Sequence, residues 1–579
     1  MDITLKCKGE NMEDFKFETI QYERPDFDQF EAYLKDLTEK VKDANSYSEI
    51  KEILEKADEY MNAVDTMTTV AMIRNTLNTT DEFYEKEYEF IAERQAVAAT
   101  TSAEFFKAIL NCKFTDDISN DYGKELLVIL QREVDQFKEE LIPFIQQEAK
   151  LTQRYQKLIA TAQIPFNDQI LNIHGIQKYF EHPDREIRKG AFKAYSDFYH
   201  KNEEEMEEIF SELIKIRNEM GKALGYDNFI PLAYMQQKRS DYGVKEVASF
   251  RDQVHREIVP LCQKLYEAQA KRIGVDELKV YDEKFMFTDG NAEPIGDDDY
   301  LVLEAQKMYH DLSPETAEFI DFMIEHDLMD LKNKPNKAST GYMTVLSSYK
   351  APYVFSCFNH TIYDMQVLTH ELGHAFAGFM SMRNQKTSAY YMGGTDIAEI
   401  HSMAMEQFSY PYAEQFFGKD ADKFRFAHLQ EAVTFVPFGV AVDEFQHIMY
   451  EHPELTPKER TLEWHKLEKK YMPWRKYEDD EFMERGGYWY HKIHIFLYPF
   501  YYINYTLTTM GAMEFKKRFI ENREEAWRDY LNLCKAGSSR SYLELLKLAN
   551  LSIPFEEGSV KRAISLAKDI LLAEIEKEN

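Results

Sequence analysis

A mainly α-helical fold is expected for this 579-residue chain, on three observations. Glycine and proline, the residues that most often end an element, number only 22 and 17. Long stretches space their apolar residues three and four apart, the period of a helix with one buried face. Runs of β-branched and aromatic residues that read as strands are few and short. The length suggests two to four domains, and neither an internal repeat nor a low-complexity linker divides them.

Taken in order, Pro25-Asp26 opens the first helix, whose stripe is Phe27, Phe30, Leu34, Leu37 and Val41. Asn45-Ser46 ends it, and Ser46 with Glu49 reads as a capping box for a second helix carrying Ile50, Ile53, Leu54, Ala57, Met61 and Val64. Thr79 with Glu82 caps a third, running toward Cys112. Two more helical patterns fill Lys124 to Ala162, with Pro143 as a boundary or kink. Gln169 to Ile173 looks extended. His182-Pro183-Asp184-Arg185-Glu186-Ile187-Arg188 starts another long helical region. Asp241 to Arg272 is amphipathic. Val280 to Asp282 and Phe285 to Phe287 suggest a short β segment with a turn at Asp289-Gly290-Asn291, and Asp299 to Leu331 reads as helix. Gly341 to Leu346 is expected to be a strand. So is Tyr353 to Phe358, placed just before a helix from Thr361 to Met380, where it could serve as an edge for an extended peptide.

The formal net charge of −32 excludes nucleic acid as a natural partner and disfavours anionic membrane surfaces, since both are bound by Lys and Arg. Cys7, Cys112, Cys262, Cys357 and Cys534 are scattered and never in a paired spacing, as expected of free thiols in a reducing compartment. The first residues lack an apolar signal core, and no run is long and apolar enough to span a bilayer, so a cytoplasmic protein is expected.

The chemistry begins at His370-Glu371-Leu372-Gly373-His374. Residues four apart share a helical face, so both imidazoles can meet one divalent metal, most often zinc. Glu371, one residue past the first histidine, stands where a general base can take a proton from water. Gly373 weakens the helix by roughly 1 kcal/mol relative to Ala, which suggests a close approach by another backbone or a ligand. Two histidines leave a metal under-coordinated. Glu399, after Gly393-Gly394-Thr395-Asp396, is placed in the first turn of a helix, as a third ligand or as half of a capping pair with Asp396. His401 is a rival, about 200° around that helix from Glu399. Glu406 shares Glu399's face and is either a hydrogen-bond partner of a ligating imidazole or ordinary surface.

On these residues the sequence resembles the oligoendopeptidase F and thimet oligopeptidase family of zinc metallopeptidases, oligoendopeptidase F above all. The resemblance rests on His370-Glu371-Leu372-Gly373-His374-Ala375-Phe376, on the glutamate 25 residues beyond His374, and on Asp184-Arg185-Glu186-Ile187-Arg188 and Ala351-Pro352-Tyr353. It is clearest from about residue 180 to 550 and divides the chain into an N-terminal helical region, 1–180, and a catalytic region, 181–579. It makes Glu399 the third metal ligand, and implies one Zn2+ per chain. The family also has a late helix with a histidine and two tyrosines seven apart, which bind substrate and the oxyanion. The match here is His494, Tyr498 and Tyr505, with His491 as a second candidate for the histidine. His491, His494, Tyr498, Tyr501 and Tyr505 step by three and four along one helical face, with Pro499 as a possible kink. Gly486-Gly487, just before, could let the preceding loop move over a substrate.

The resemblance implies an elongated helical metallopeptidase with a deep substrate channel and a small β element beside the zinc-binding helix. It further implies hydrolysis of internal bonds of short oligopeptides by metal-activated water, with Glu371 as general base. A zinc carboxypeptidase or peptidyl-dipeptidase on a similar fold is the alternative enzyme. An inactive peptide-binding scaffold is the alternative of another class, and the presence of Glu371 argues against it.

Overall fold

The stripe Phe27, Phe30, Leu34, Leu37 and Val41 is buried along one helix, Phe27–Asp43, in the computed structural model, which describes residues 15–578 apart from 137, 339 and 359–361. Helices dominate the described residues, and two small sheets accompany them. The chain forms two compact units. One takes residues 1–139, 293–421 and 515–551; the other takes 140–292, 422–514 and 552–579. No described helix is long and apolar enough to cross a membrane. Cys112, Cys262, Cys357 and Cys534 are free thiols, and Cys7 lies outside the described residues, as do the first residues read for a signal core.

Local sequence signals set most boundaries. Asp26 accepts from the Gln29 N–H at the first helix, and Ser46 from the Glu49 N–H at the second. The third helix, Glu82–Leu110, is capped by Asp81 rather than Thr79, because the Asp81 carboxylate takes the N–H groups of both Phe83 and Tyr84. Pro143 lies in the first turn of Ile142–Ala160, where its missing N–H costs no hydrogen bond. The amphipathic stretch from 241 to 272 is two helices, Val244–Glu257 and Val259–Arg272, because Pro260 starts a new first turn. The pattern from 299 to 331 likewise divides at Ser313, which caps Pro314–Glu325 after Asp298–Leu312.

The strands are β1 (Ile164–Phe166), β2 (Gln169–Leu171), β3 (Met329–Asp330), β4 (Tyr342–Leu346) and β5 (Ala351–Phe355). β1 and β2 form a hairpin whose two loop residues, Asn167 and Asp168, both have positive φ, as a twist-matched two-residue turn requires. In the other sheet β5 lies between β3 and β4, parallel to the first and antiparallel to the second. This corrects the reading of Tyr353 onward as an edge. β5 is buried along its length and paired on both sides, so the sheet's edges are β3 and β4.

Val280–Asp282 is a single 3-10 turn rather than a strand. Asp282 is fully buried, and its carboxylate pairs with Arg185 at 2.7 Å and Arg188 at 2.8 Å and accepts the Lys279 N–H at 3.0 Å. Those charges hold the chain in a turn where the sequence suggested a short β segment. The arginines of the Asp184–Arg188 motif therefore have a structural task, holding the start of helix Arg185–Lys201 to this turn. Asp282→Ala would leave Arg188 buried without its charge partner. We expect a loss of roughly 3–5 kcal/mol, read as a lowered urea midpoint. An unchanged midpoint would mean that both guanidiniums find other acceptors.

Candidate metal centre

The helix Ile362–Asn384 turns Leu368, Leu372, Ala375, Phe376 and Phe379 into the core and leaves His370, Glu371 and His374 partly exposed. The Tyr309 hydroxyl donates to the Leu368 carbonyl at 2.9 Å, and Phe376 stacks nearly parallel on Tyr530. Beside it runs the helix Thr395–Phe408. Gly373 is the point of closest approach. A Cβ there would meet Ser402 Cα at 2.8 Å and the His401 carbonyl oxygen at 3.0 Å. The close approach expected from sequence is thus to a neighbouring backbone. Gly373→Ala should favour the isolated helix by about 1 kcal/mol yet force the two helices apart. Since a misplacement of ~1 Å can cost on the order of a hundredfold in rate, we expect kcat/KM to fall by about that factor with helix content unchanged by circular dichroism. Full activity would show that the pair of helices yields at no cost to the site.

That approach sets the geometry of five side chains. His370 Nε2 lies 3.2 Å and His374 Nε2 3.3 Å from the same oxygen, Oε2 of Glu399. The three potential ligand atoms lie within 4.8 Å of one another. His370 Nδ1 donates to Glu406 Oε1 at 2.5 Å, and the Ser402 hydroxyl donates to Glu399 Oε2 at 3.0 Å. Glu399 is only 5% exposed. It lies in the second turn of its helix, past the position of a cap; Asp396 is the acid of the first turn.

The donor set fits a divalent cation. With Nδ1–H committed to Glu406, a neutral His370 presents its Nε2 lone pair to a carboxylate oxygen, which is repulsive unless a positive charge lies between them. Burial opposes the charged imidazole, yet Glu399 and Glu406 together hold the His370 pKa well above the usual range. Burial likewise opposes the Glu399 carboxylate, and His374 and His370 overcome it to hold Glu399 well below the carboxylate range. Two ligand atoms each 2.0–2.1 Å from a tetrahedral ion sit roughly 3.3–3.4 Å apart, close to the separations found here. Glu406 stands behind His370 as a carboxylate commonly stands behind a ligating imidazole in metal sites, fixing its ring orientation.

His401 is directed elsewhere. It is buried, its ring meets Tyr530 edge-on, and burial pushes its pKa down to about 3. Glu371 is partly exposed, and among the described residues its carboxylate has no ion pair or hydrogen bond.

His494, Tyr498 and Tyr505 belong to the other unit, and the single helical face expected for them is not present. The chain runs as a 3-10 turn Gly487–His491, a short helix Ile493–Leu497, an irregular elbow, and a helix Ile503–Glu521. The elbow centres on Phe500, a buried residue with φ of 60°. A side chain in that region is strained, and the surroundings hold it there. Arg239 donates to the Phe500 carbonyl at 2.6 Å, and Gln446 accepts the Phe500 N–H at 2.9 Å. The elbow still gathers the aromatic groups. The His494 ring lies 5.8 Å from Tyr498, 4.7 Å from Tyr502 and 6.1 Å from Tyr505, and Tyr498 is 50% exposed. His491 instead turns its Nδ1 to the Tyr488 carbonyl and stacks on Phe438, so His494 is the histidine of this cluster. Gly486 is no loose hinge. It has φ of 108°, and the Thr461 carbonyl packs directly where a Cβ would sit.

With this geometry in hand, comparison with known proteins decides the family. Residues 17–137 match the family model described as Peptidase M3 N-terminal domain, and residues 178–296 and 304–563 match Peptidase family M3. The chain belongs to peptidase family M3. It is an enzyme, a metalloendopeptidase that acts on oligopeptides. An oligoendopeptidase F homolog of Borreliella burgdorferi is 22% identical over 557 residues, 91% of each chain. Oligopeptidase PepF of Bacillus subtilis is 22% identical over 90% of this chain and 79% of its own. A solved structure of PZ peptidase A with an inhibitor is 40% identical, with a TM-score of 0.91 over 96% of this chain and 99% of that one.

Sequence reasoning does not reach Ser402, Arg239 or Gln446 in this M3 peptidase. Ser402 had a signal, its spacing of three from Glu399 on one helix. Arg239 and Gln446 are hundreds and tens of residues from the elbow they hold, and nothing local marks them.

Proposed function

We propose that the chain binds one zinc ion through His370, His374 and Glu399 and cleaves internal bonds of short oligopeptides. The observation that carries this reading is the convergence of two imidazole nitrogens on one carboxylate oxygen, with Glu406 behind the first. When bound, zinc supplies Lewis acidity, lowering the pKa of water and polarising the scissile carbonyl.

The chain's own groups do the rest. Glu371 accepts the proton of the attacking water and later delivers it to the leaving amine. Glu406 keeps the His370 ring in one tautomer and orientation, and Ser402 does the same for one oxygen of Glu399. His494, Tyr498 and Tyr505 bind substrate and donate to the oxyanion, on the family resemblance. Their clustering on the elbow and the exposure of Tyr498 support this assignment. Burial pushes the His494 pKa down to about 3, so its ring is neutral at pH 7 and can donate through one nitrogen only. A cytoplasmic location suits the free thiols.

The test is a library of peptides blocked at both ends, digested with and without a chelator, with metal content measured in parallel. Chelator-sensitive cleavage at internal bonds with one equivalent of zinc is expected. Cleavage that survives removal of all metal would overturn the reading, and release of terminal fragments only from unblocked peptides would favour an exopeptidase.

A further inference from the structure

Within the second unit, two residues before His494, stands a lysine that the proposed mechanism does not use. The Lys492 Nζ lies 3.9 Å from the centroid of the Tyr502 ring and 5.7 Å from that of Phe438. No carboxylate oxygen lies within 4.0 Å of it among the described residues. Its cationic neighbours are different. Lys284 is paired with Glu431 at 2.6 Å, and Arg475 with Glu283 at 2.6 Å. Burial, helped by the Lys284 charge, pushes the Lys492 pKa down to about 7, so the aromatic faces do not make up for lost solvation.

His494 is left in a similar state. Its Nδ1 is buried without a hydrogen-bond partner, and its ring lies 4.7 Å from the same Tyr502. One tyrosine thus walls two polar groups, an ammonium and an imidazole nitrogen, neither with a polar partner among the described residues. Buried polar groups are normally satisfied, and a partly buried cation normally has an anion. Here both lack one on the cluster assigned to substrate.

We propose that Lys492 is a specificity-determining residue that receives a carboxylate of the peptide substrate, with His494 beside it as a second polar contact. The proposal rests on the assignment of His494, Tyr498 and Tyr505 to substrate binding. The carboxylate has two possible sources, the peptide's C-terminus or an acidic side chain near the cleaved bond. In either case the ammonium gains the partner the fold does not provide.

The experiment uses the full-length metal-loaded enzyme and one peptide core. The core is made with a C-terminal acid or amide, and with Glu or Gln at each position flanking the cleaved bond. Wild-type enzyme is expected to prefer one charged member over its neutral twin by at least about tenfold in kcat/KM. The acid–amide pair identifies the C-terminus as source, and a Glu–Gln pair a side chain. In Lys492→Met that ratio should fall to near one, and in Lys492→Arg it should persist. Because each ratio is taken within one variant, a smaller folded fraction cancels. A wild-type ratio near one for every pair, or a preference that survives Lys492→Met, overturns the proposal. Failure of the peptidase reading would look different, since no member of the set would then be cleaved in a metal-dependent way.

Discussion

Glu371→Gln is expected to keep its metal and to lose roughly a hundred- to ten-thousandfold in kcat/KM. The substitution preserves size and hydrogen bonding, so the helix Ile362–Asn384 and its packing against Thr395–Phe408 are undisturbed. It removes the negative charge and, with it, the ability to accept a proton. Glu371 is not among the three groups whose ligand atoms converge, and its carboxylate takes no partner among the described residues, so neither metal retention nor stability depends on it. Metal analysis and turnover on one peptide separate the two properties. A variant that turns over near the wild-type rate would remove Glu371 from the mechanism. A variant that loses its metal would make Glu371 part of the cation's environment instead.

The positions behind this prediction were legible in sequence because they depend on helical phase alone. Residues 370 and 374 share a face and 371 is rotated from it, whatever the helix packs against. The stripe from Phe27 to Val41 was legible for the same reason, and of the two readings of Pro143, boundary or kink, the structure has the boundary. What failed depended on partners distant in sequence. Asp282 bends its segment because two arginines almost a hundred residues earlier reach it, and no local alternation reports that. The tyrosine segment has a helical period, yet Arg239 and Gln446 hold Phe500 in a left-handed conformation that breaks it. The intervals from His494 to Tyr498 and Tyr505 therefore predicted a cluster while giving the wrong backbone for it. β5 shows a third kind of limit. Its apolar run marks a strand, but being central rather than an edge follows from where β3 and β4 pair, which is set outside the run.

Glu399→Ala tests the one ligand that spacing alone left open between cation and helix cap. The carboxylate has been placed a full turn inside its helix, with His370, His374 and Ser402 among its partners. A cap would be satisfied by helix N–H groups, and removing it would cost about 1 kcal/mol and no metal. A ligand's removal leaves two imidazoles, and among the described residues no other acid or histidine joins the converging group. His401 is turned to Tyr530, and Glu406 is engaged with His370 Nδ1 on the far side of the ring. Loss of an outer partner typically costs 10–100-fold in metal affinity, so loss of this inner one should exceed about a hundredfold. Metal content after dialysis should fall accordingly. A second measurement guards against simple misfolding. At free metal 100 times its dissociation constant the wild type gains about 2.7 kcal/mol of stability, visible as a rise in Tm over the chelator-treated protein. Glu399→Ala should unfold cooperatively and show almost none of that rise. Wild-type metal content, or an undiminished rise in Tm, would assign the cation to other residues and leave Glu399 as a buried acid that merely pairs two histidines.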